Sequence, residues 1–266
     1  MSRRRLDAEL VRRGLARSRA EAQEAVRAGF VVVGGRPVEK ASRLVAPDEP
    51  VALLTPARRF VSRGGDKLDA ALERFGIEVA GRDCLDAGAS TGGFTDCLLR
   101  RGARRVVAVD VGYGQLDWSI RTDPRVTVLE RTNVRHLSAS DLPFAPHVVV
   151  ADLSFISLRL VVPTLARLAR PGADIVLLVK PQFEAGRGAV GRGGVVREPA
   201  VWRHAIEGVA EASLGAGATP RAVMPSPIRG PAGNVEFLLH AVEGGASADL
   251  DVDAVVEEAC RIGERA

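Results

Sequence analysis

Only three of the 37 basic residues are lysines, Lys40, Lys67 and Lys180; the other 34 are arginines. An arginine is effectively always protonated, whereas a partly buried lysine can shed its proton and act as a base. Lys180 closes the aliphatic run Ile175 to Val179, and Asp152 closes a second run, Val148 to Ala151. If both runs are strands of an open α/β sheet, the two charges meet at its carboxyl edge, where such sheets bind their ligands. A structural ion pair at two strand ends is the plainer alternative. Lys67 follows Ser62-Arg-Gly-Gly-Asp66 and is read as opening a helix, where the dipole disfavours a cation, so its position points to use rather than helix stability. Glu236 interrupts the apolar run Val235 to Leu239, and an acid there needs a partner unless it faces solvent at a strand start.

A second group of residues has the form of a ligand cradle. Asp86-Ala-Gly-Ala-Ser-Thr-Gly-Gly-Phe94 follows an apolar run and opens a helical pattern. Glycines let the backbone approach a ligand closely, and unpaired N–H groups at a helix start receive its polar part. The spacing Gly88-x-x-x-Gly92-Gly93 departs from the G-x-G-x-x-G dinucleotide fingerprint and lacks a Walker lysine, which counts against dehydrogenase and ATPase chemistry. Asp110 ends the next strand, where a carboxylate can accept bonds from a ribose diol. The cofactor-binding set expected here is Asp86, Gly88, Ala89, Ser90, Gly92, Gly93, Phe94, Asp110 and Asp152. Asn133 joins it as a neighbour of the cofactor's base, or else forms a turn.

These residues need elements to hold them. Strands are expected over Cys84–Ala87, Val106–Asp110, Val126–Leu129, His147–Asp152, Ile175–Lys180, Ala218–Met224 and Val235–His240, with helices over Lys67–Phe75, Phe94–Arg101, Leu158–Ala169 and Ala200–Ala212. Their alternation implies an α/β domain with a mostly parallel sheet covered on both faces. The first 54 residues form a different pattern: a helix from Leu6 ended by Gly14, a second from the cap Ser18 to Ala28, a strand Phe30–Val33, a tight turn at Gly34-Gly35 and a strand Val51–Leu54. The expected organisation is a small α+β domain over 1–54, a linker over 55–64 and the α/β domain over 65–266. Residues 1–63 hold fourteen basic and seven acidic residues, while the rest holds 23 and 26, so the positive charge is concentrated at the N-terminus. That imbalance suits a polyanion, although a solvated arginine-rich face would look the same.

Arg-Leu-Asp (5–7), Gly-Leu-Ala-Arg-Ser-Arg (14–19), Ala-Gly-Phe-Val-Val-Val-Gly-Gly (28–35) and Val-Glu-Lys (38–40) resemble the RNA-binding domain named after the fourth small-subunit ribosomal protein. Gly35 stands where that family usually has Asn, and either residue tolerates the turn. The resemblance implies an RNA-facing side that includes Arg4, Arg17, Arg19 and Lys40. Ser-Arg-Gly-Gly-Asp-Lys-Leu (62–68), Ala-Asp-Leu-Ser-Phe-Ile-Ser (151–157), Val-Lys-Pro-Gln-Phe-Glu (179–184) and Gly-Asn-Val-Glu-Phe (233–237) resemble FtsJ-like ribose 2′-O-methyltransferases. That resemblance implies a Rossmann-like class I methyltransferase fold, S-adenosylmethionine as cofactor, no metal, and a catalytic tetrad of Lys67, Asp152, Lys180 and Glu236. Together with Val-Gly-Tyr-Gly-Gln-Leu (111–116) and Gly-Gly-Val-Val (193–196), the chain is similar to the TlyA family over essentially its full length. The similarity implies methylation of cytidine 2′-hydroxyls in small- or large-subunit ribosomal RNA, with ribosomal subunits as partners. Lys180 is then the general base, and because a free lysine titrates at about 10.4 it needs burial or nearby positive charge to be neutral at pH 7.

Two other classes compete. One is a non-catalytic RNA-binding assembly factor that has kept the fold; the other is the membrane-active protein suggested by the haemolysin label attached to some members of this family. The longest wholly aliphatic stretch is the five residues Ile175 to Val179, far short of a membrane span, and no apolar leader follows Met-Ser-Arg-Arg-Arg, so a cytoplasmic protein is expected. Cys84, Cys97 and Cys260 are widely spaced and odd in number, which argues against a disulfide frame or zinc site. The Gly- and Arg-rich segment 186–194 is either a loop that closes on the substrate or an ordinary surface loop. The oligomeric state is open, a monomer included.

Overall fold

The computed structural model describes residues 3–16, 18–27, 29–54, 59–186, 191–246 and 249–264. The chain divides into two compact units, residues 1–58 and 59–266. In the first, helices α1 (Leu6–Arg12) and α2 (Arg19–Arg27) pack on a small antiparallel sheet of β2 (Val31–Val33), β3 (Arg36–Pro37) and β5 (Val51–Leu53). A two-residue ladder between β1 (Arg4–Arg5) and β4 (Leu44–Val45) closes the other side. The spacing Leu6, Leu10, then Ala22 and Val26, places four buried residues on the facing sides of the two helices, against Val31 and Val33. Gly34 and Gly35 both have positive φ, +59° and +77°, the conformation a two-residue hairpin loop demands. Asp7 is fully buried, and its carboxylate accepts bonds from Arg5, Arg19 and Gln23.

The second unit is built on seven strands in the order β11-β12-β10-β9-β6-β7-β8. Strands β6 (Asp83–Ala87), β7 (Arg105–Val109), β8 (Val126–Leu129), β9 (Val148–Ala151) and β10 (Asp174–Val179) run parallel. Strand β12 (Phe237–Glu243) is antiparallel to both β10 and the edge strand β11 (Ala218–Pro225). The parallel strands are apolar runs because helices cover both faces. Leu85, Val107, Val149 and Leu177 face one core, while Cys84, Val106, Val148 and Val176 face the other. Helices α3 (Gly64–Arg74) and α4 (Gly93–Arg100) contribute to the second core; α6 (Val162–Leu168), α8 (Pro199–Gly215) and α9 (Val252–Glu264) contribute to the first. Two short helices, α5 (Trp118–Arg121) and α7 (Pro181–Glu184), lie in the connections after β7 and β10. This is the Rossmann-like class I methyltransferase architecture expected from the sequence.

Several boundaries move. Helix α3 begins at Gly64, not Lys67, because the glycine pair is needed at its start: a Cβ on Gly65 would lie 2.3 Å from the Phe60 ring. Lys67 is therefore the fourth residue of α3, one turn in from its beginning. Phe60, expected in a linker, is buried in the core of the second unit. The helix expected over Leu158–Ala169 is a 3₁₀ turn at Leu158–Leu160 followed by α6, with Pro163 in the first turn. Strand β12 starts at Phe237, so Glu236 precedes the strand instead of interrupting it.

Candidate active site

Strand register brings the charged residues together. Ala87 of β6 pairs with Ala151 of β9 and with Val109 of β7, so Gly88, Asp152 and Asp110 emerge side by side at the carboxyl edge of the sheet. Lys180 leaves β10 at the same edge. Because β12 is antiparallel with Phe237 opposite Val179, Glu236 enters the sheet where Lys180 leaves it. Lys67 reaches this edge from α3.

The four side chains form two ion pairs. Lys67 donates a short bond to Glu236, a buried pair drawn from residues 169 apart in sequence. Lys180 Nζ lies 2.6 Å from Asp152 Oδ1 and donates to Ser154 Oγ at 2.9 Å. All four line one cavity of about 250 Å³, whose wall includes Gly88, Ser90 and Phe94. An adjoining cavity of about 320 Å³ is lined by Gly88, Ser90, Asp110, Gln115, Val134 and Asp152, among others, none of them basic. An outer cavity of about 390 Å³ has Lys180 and Glu236 in its lining together with Phe155, Phe183 and Asn234.

The glycine loop is built for close approach. Gly88 has φ +90°, and a Cβ there would lie 2.5 Å from the Asp152 carbonyl oxygen. Gly92 has φ +96°, and a Cβ on Gly93 would strike the Ser62 hydroxyl. Ser90 is held at φ +47° while its N–H donates to Asp110 Oδ2 at 2.8 Å. Asp110 Oδ1 accepts from Gly112 N, and each carboxylate oxygen keeps a free lone pair for a hydroxyl. Asp86, fully buried beneath the loop, accepts a 2.6 Å bond from Thr95 Oγ1, but its Oδ1 has no partner among the described residues. Burial, with the charges of Asp152 and Asp110 nearby, pushes the Asp86 carboxyl up to about 7 against the pull of the Thr95 hydroxyl.

This donor set fits S-adenosylmethionine. Carboxylates and a bare backbone, with no arginine or lysine among the described residues lining the 320 Å³ cavity, suit a cationic nucleoside and would repel a pyrophosphate. Ala89 and Phe94 are buried beside the loop. Asn133 is exposed and caps a 3₁₀ turn, its side-chain oxygen accepting from Arg135 N at 3.1 Å; its neighbours Thr132 and Val134, not Asn133, line the cavity. Arg4, Arg19 and Lys40 are exposed on the first unit, whereas Arg17 lies outside the described residues, as do 187–190 of the Gly- and Arg-rich segment. Gly193 and Gly194 of that segment line the outer cavity. Sequence reasoning missed Ser154 and Glu184. Both lie in the motifs quoted above, but a serine or glutamate in a loop carries no signal until its partner is known.

Comparison with known proteins identifies the families of both units. Residues 60–242 match the FtsJ-like methyltransferase family and residues 4–51 the S4 domain. The chain is 55% identical over 88% of its length to the 16S/23S rRNA (cytidine-2′-O)-methyltransferase TlyA of Mycobacterium tuberculosis strain H37Rv, also covering 88% of that protein. It is 37% identical to Hemolysin A of Brachyspira hyodysenteriae, over 90% of this chain and 99% of the other. Among solved structures, a Streptococcus thermophilus protein carrying the hemolysin label superposes with a TM-score of 0.78 at 38% identity, covering 100% of this chain and 98% of its own. No helix among the described residues is long and apolar enough to cross a membrane. The chain therefore belongs to the FtsJ-like methyltransferase family and, by its identity over most of its length, to the TlyA branch of it.

Proposed function

We propose that this protein transfers a methyl group from S-adenosylmethionine to the ribose 2′-hydroxyl of a cytidine in ribosomal RNA. The observation that carries the reading is the pair of ion pairs, Lys67–Glu236 and Lys180–Asp152, lining one cavity with the glycine loop. When bound, the cofactor supplies a methyl carbon on a positively charged sulfur, open to attack from the side opposite that sulfur. Asp86, Asp110 and Asp152 would hold it: Asp110 at the ribose diol, Asp152 and the orphaned oxygen of Asp86 toward its cationic portion. Gly88, Ala89, Ser90, Gly92, Gly93 and Phe94 shape the wall against which it lies.

The target ribose enters from the outer cavity, and a nucleotide within folded RNA must leave its helix to do so. Lys180 Nζ would take the 2′-hydroxyl proton and so make the ribose oxygen the nucleophile for the methyl group that the cofactor would supply. Asp152 Oδ1 and Ser154 Oγ aim Nζ, and Asp152 then stabilises the ammonium that forms. Lys67 and Glu236, locked to one another, fix the attacking ribose, so that their contribution is alignment. No step requires a metal. Arg4, Arg19 and Lys40, with Arg17 from the same motif, grip RNA phosphates through the S4 domain, which makes binding sensitive to salt. Labelled methyl transfer to isolated ribosomal subunits, followed by mapping of ribose methylation, tests the reading; a protein that binds the cofactor yet labels no RNA would instead be an assembly factor.

A further inference from the structure

Lys180 and its two partners sit on two loops, and a second contact ties those loops together. Asp152 and Ser154 belong to the segment after β9, and Lys180 opens the segment after β10. Four residues beyond Lys180, at the end of α7, Glu184 turns inward and is 5% exposed. Its Oε1 accepts from Leu158 N at 2.7 Å and its Oε2 from Ser157 Oγ at 2.5 Å. Arg159 flanks it, with Nε 3.5 Å from Oε2 and a terminal nitrogen donating to the Glu184 carbonyl oxygen at 3.1 Å. The two loops are thus joined at both ends: Lys180 to Asp152 and Ser154 at one, Glu184 to Ser157 and Leu158 at the other. Between these ties Phe155 is held at φ +65°, a conformation rare for an aromatic residue; the residue is 92% exposed and its ring centroid lies 5.3 Å from that of Phe183. A backbone in that region persists only where its surroundings fix it. Glu184 bonds the chain just beyond Phe155, at Ser157 and Leu158, and is not among the described residues lining the three cavities at the site.

We propose that Glu184 is a positioning residue for methyl transfer, which sets the placement of Lys180 against Asp152 and Ser154 by clamping the loop after β9 to the loop after β10. The proposal rests on the reading of Lys180 as the base. Among the described residues, the charged groups that share the cavity with Lys180 are Asp152, Arg63 and Lys67 from the start of α3, and Glu236 before β12; Arg159 faces Glu184 from the 3₁₀ turn. None of them duplicates the clamp.

The test measures kcat, KM for RNA and the pH dependence of kcat for the full chain carrying Glu184→Ala, Glu184→Gln or Ser157→Ala. Glu184→Ala is expected to lose roughly tenfold to hundredfold in kcat, the penalty of a small misplacement, and to shift the pH profile, while cofactor affinity by calorimetry stays within about twofold. Glu184→Gln, whose amide can accept from Leu158 N and donate to Ser157 Oγ, is expected to restore the profile. Ser157→Ala removes one tie without stranding a charge and is expected to fall between them; if Glu184→Ala does not fold, this variant decides alone. An unshifted profile in folded Glu184→Ala and Ser157→Ala overturns the proposal, even with kcat reduced, because that result means only less native enzyme. Lys180→Ala, assayed in parallel, separates the two ideas. If it keeps full turnover, the base assignment has failed; if it is inactive while Glu184→Ala is normal, only the clamp has.

Discussion

Removing the carboxylate of Glu236 should destabilise the second unit severely. Glu236 is 2% exposed and Lys67 6%, so Glu236→Ala leaves an ammonium out of water with its ion-pair partner gone. Breaking a buried pair from one side costs about 3–5 kcal/mol, a large part of the roughly 5–15 kcal/mol that holds a domain together. Guanidinium unfolding followed by tryptophan emission reads this directly. Trp202 is buried, and its ring centroid lies 6.1 Å from that of Phe237, the residue after Glu236; the other tryptophan, Trp118, is 75% exposed and belongs to the same unit. Removing both charges, as Lys67→Met with Glu236→Leu, is expected to recover most of the lost stability, since apolar replacements of buried pairs are often neutral or better. Methyl transfer should remain abolished in that double variant. A cost below about 1 kcal/mol for Glu236→Ala would refute the burial argument, and a double variant as unstable as the single one would make the pair a stability element instead of one retained for chemistry.

Other perturbations have equally definite outcomes. Asp86 should make wild-type stability fall as pH rises from about 4 to about 7: the unfolded chain ionises first, while the folded carboxyl holds its proton to about 7, a difference from the model-peptide value of 3.8 worth at most about 4 kcal/mol. Asp86→Asn should flatten that dependence between unfolding curves taken at pH 5 and pH 8 and weaken cofactor binding; a parallel dependence in the variant would remove Asp86 as its source. Gly88→Ala must place a methyl 2.5 Å from the Asp152 carbonyl at positive φ, so calorimetry should show cofactor affinity down at least about tenfold, and an unchanged affinity would show that the loop does not hold the cofactor. In the first unit the guanidinium groups of Arg5 and Arg19 and the Gln23 amide hold Asp7 well below the usual carboxylate range. Its stabilisation is therefore present above about pH 4 and lost as pH falls further, so Asp7→Asn should lower that unit's melting point at neutral pH and remove its acid sensitivity. Equal acid sensitivity in the variant would assign the effect to Glu9, which its bonds from Arg12 and Arg13 hold at about 2.

Much of the fold was legible because its signals are local. Aliphatic runs ended by a charge, as at Val179-Lys180 and Ala151-Asp152, are the signature of parallel strands buried on both faces, and each such charge came to the carboxyl edge. The Gly34-Gly35 turn and the paired helices of the first unit were likewise written in short-range chemistry. What stayed hidden depended on distant neighbours. The start of α3 was misjudged because Gly64 and Gly65 resemble a flexible linker until the Phe60 ring and the Ser62 hydroxyl are seen against them. Glu236 was expected inside a strand because the apolar residues around it mask the boundary that the antiparallel pairing of Phe237 with Val179 sets. Asn133 offered two readings, and its side chain caps a turn. Helix α9 carries a helical spacing, Val252, Val255, Val256 and Ala259, although no helix is expected there above, whereas the partners of Glu184 and Ser154 are products of tertiary packing, for which the sequence alone carries no spacing.

The most direct test of the account is methyl transfer by wild type and Lys180→Ala side by side, with labelled S-adenosylmethionine, isolated ribosomal subunits and mapping of the labelled position. The account predicts label at a discrete cytidine 2′-oxygen with the wild type and none with Lys180→Ala, whose RNA and cofactor affinities stay near normal. Label on a base, or comparable turnover by the variant, would contradict it.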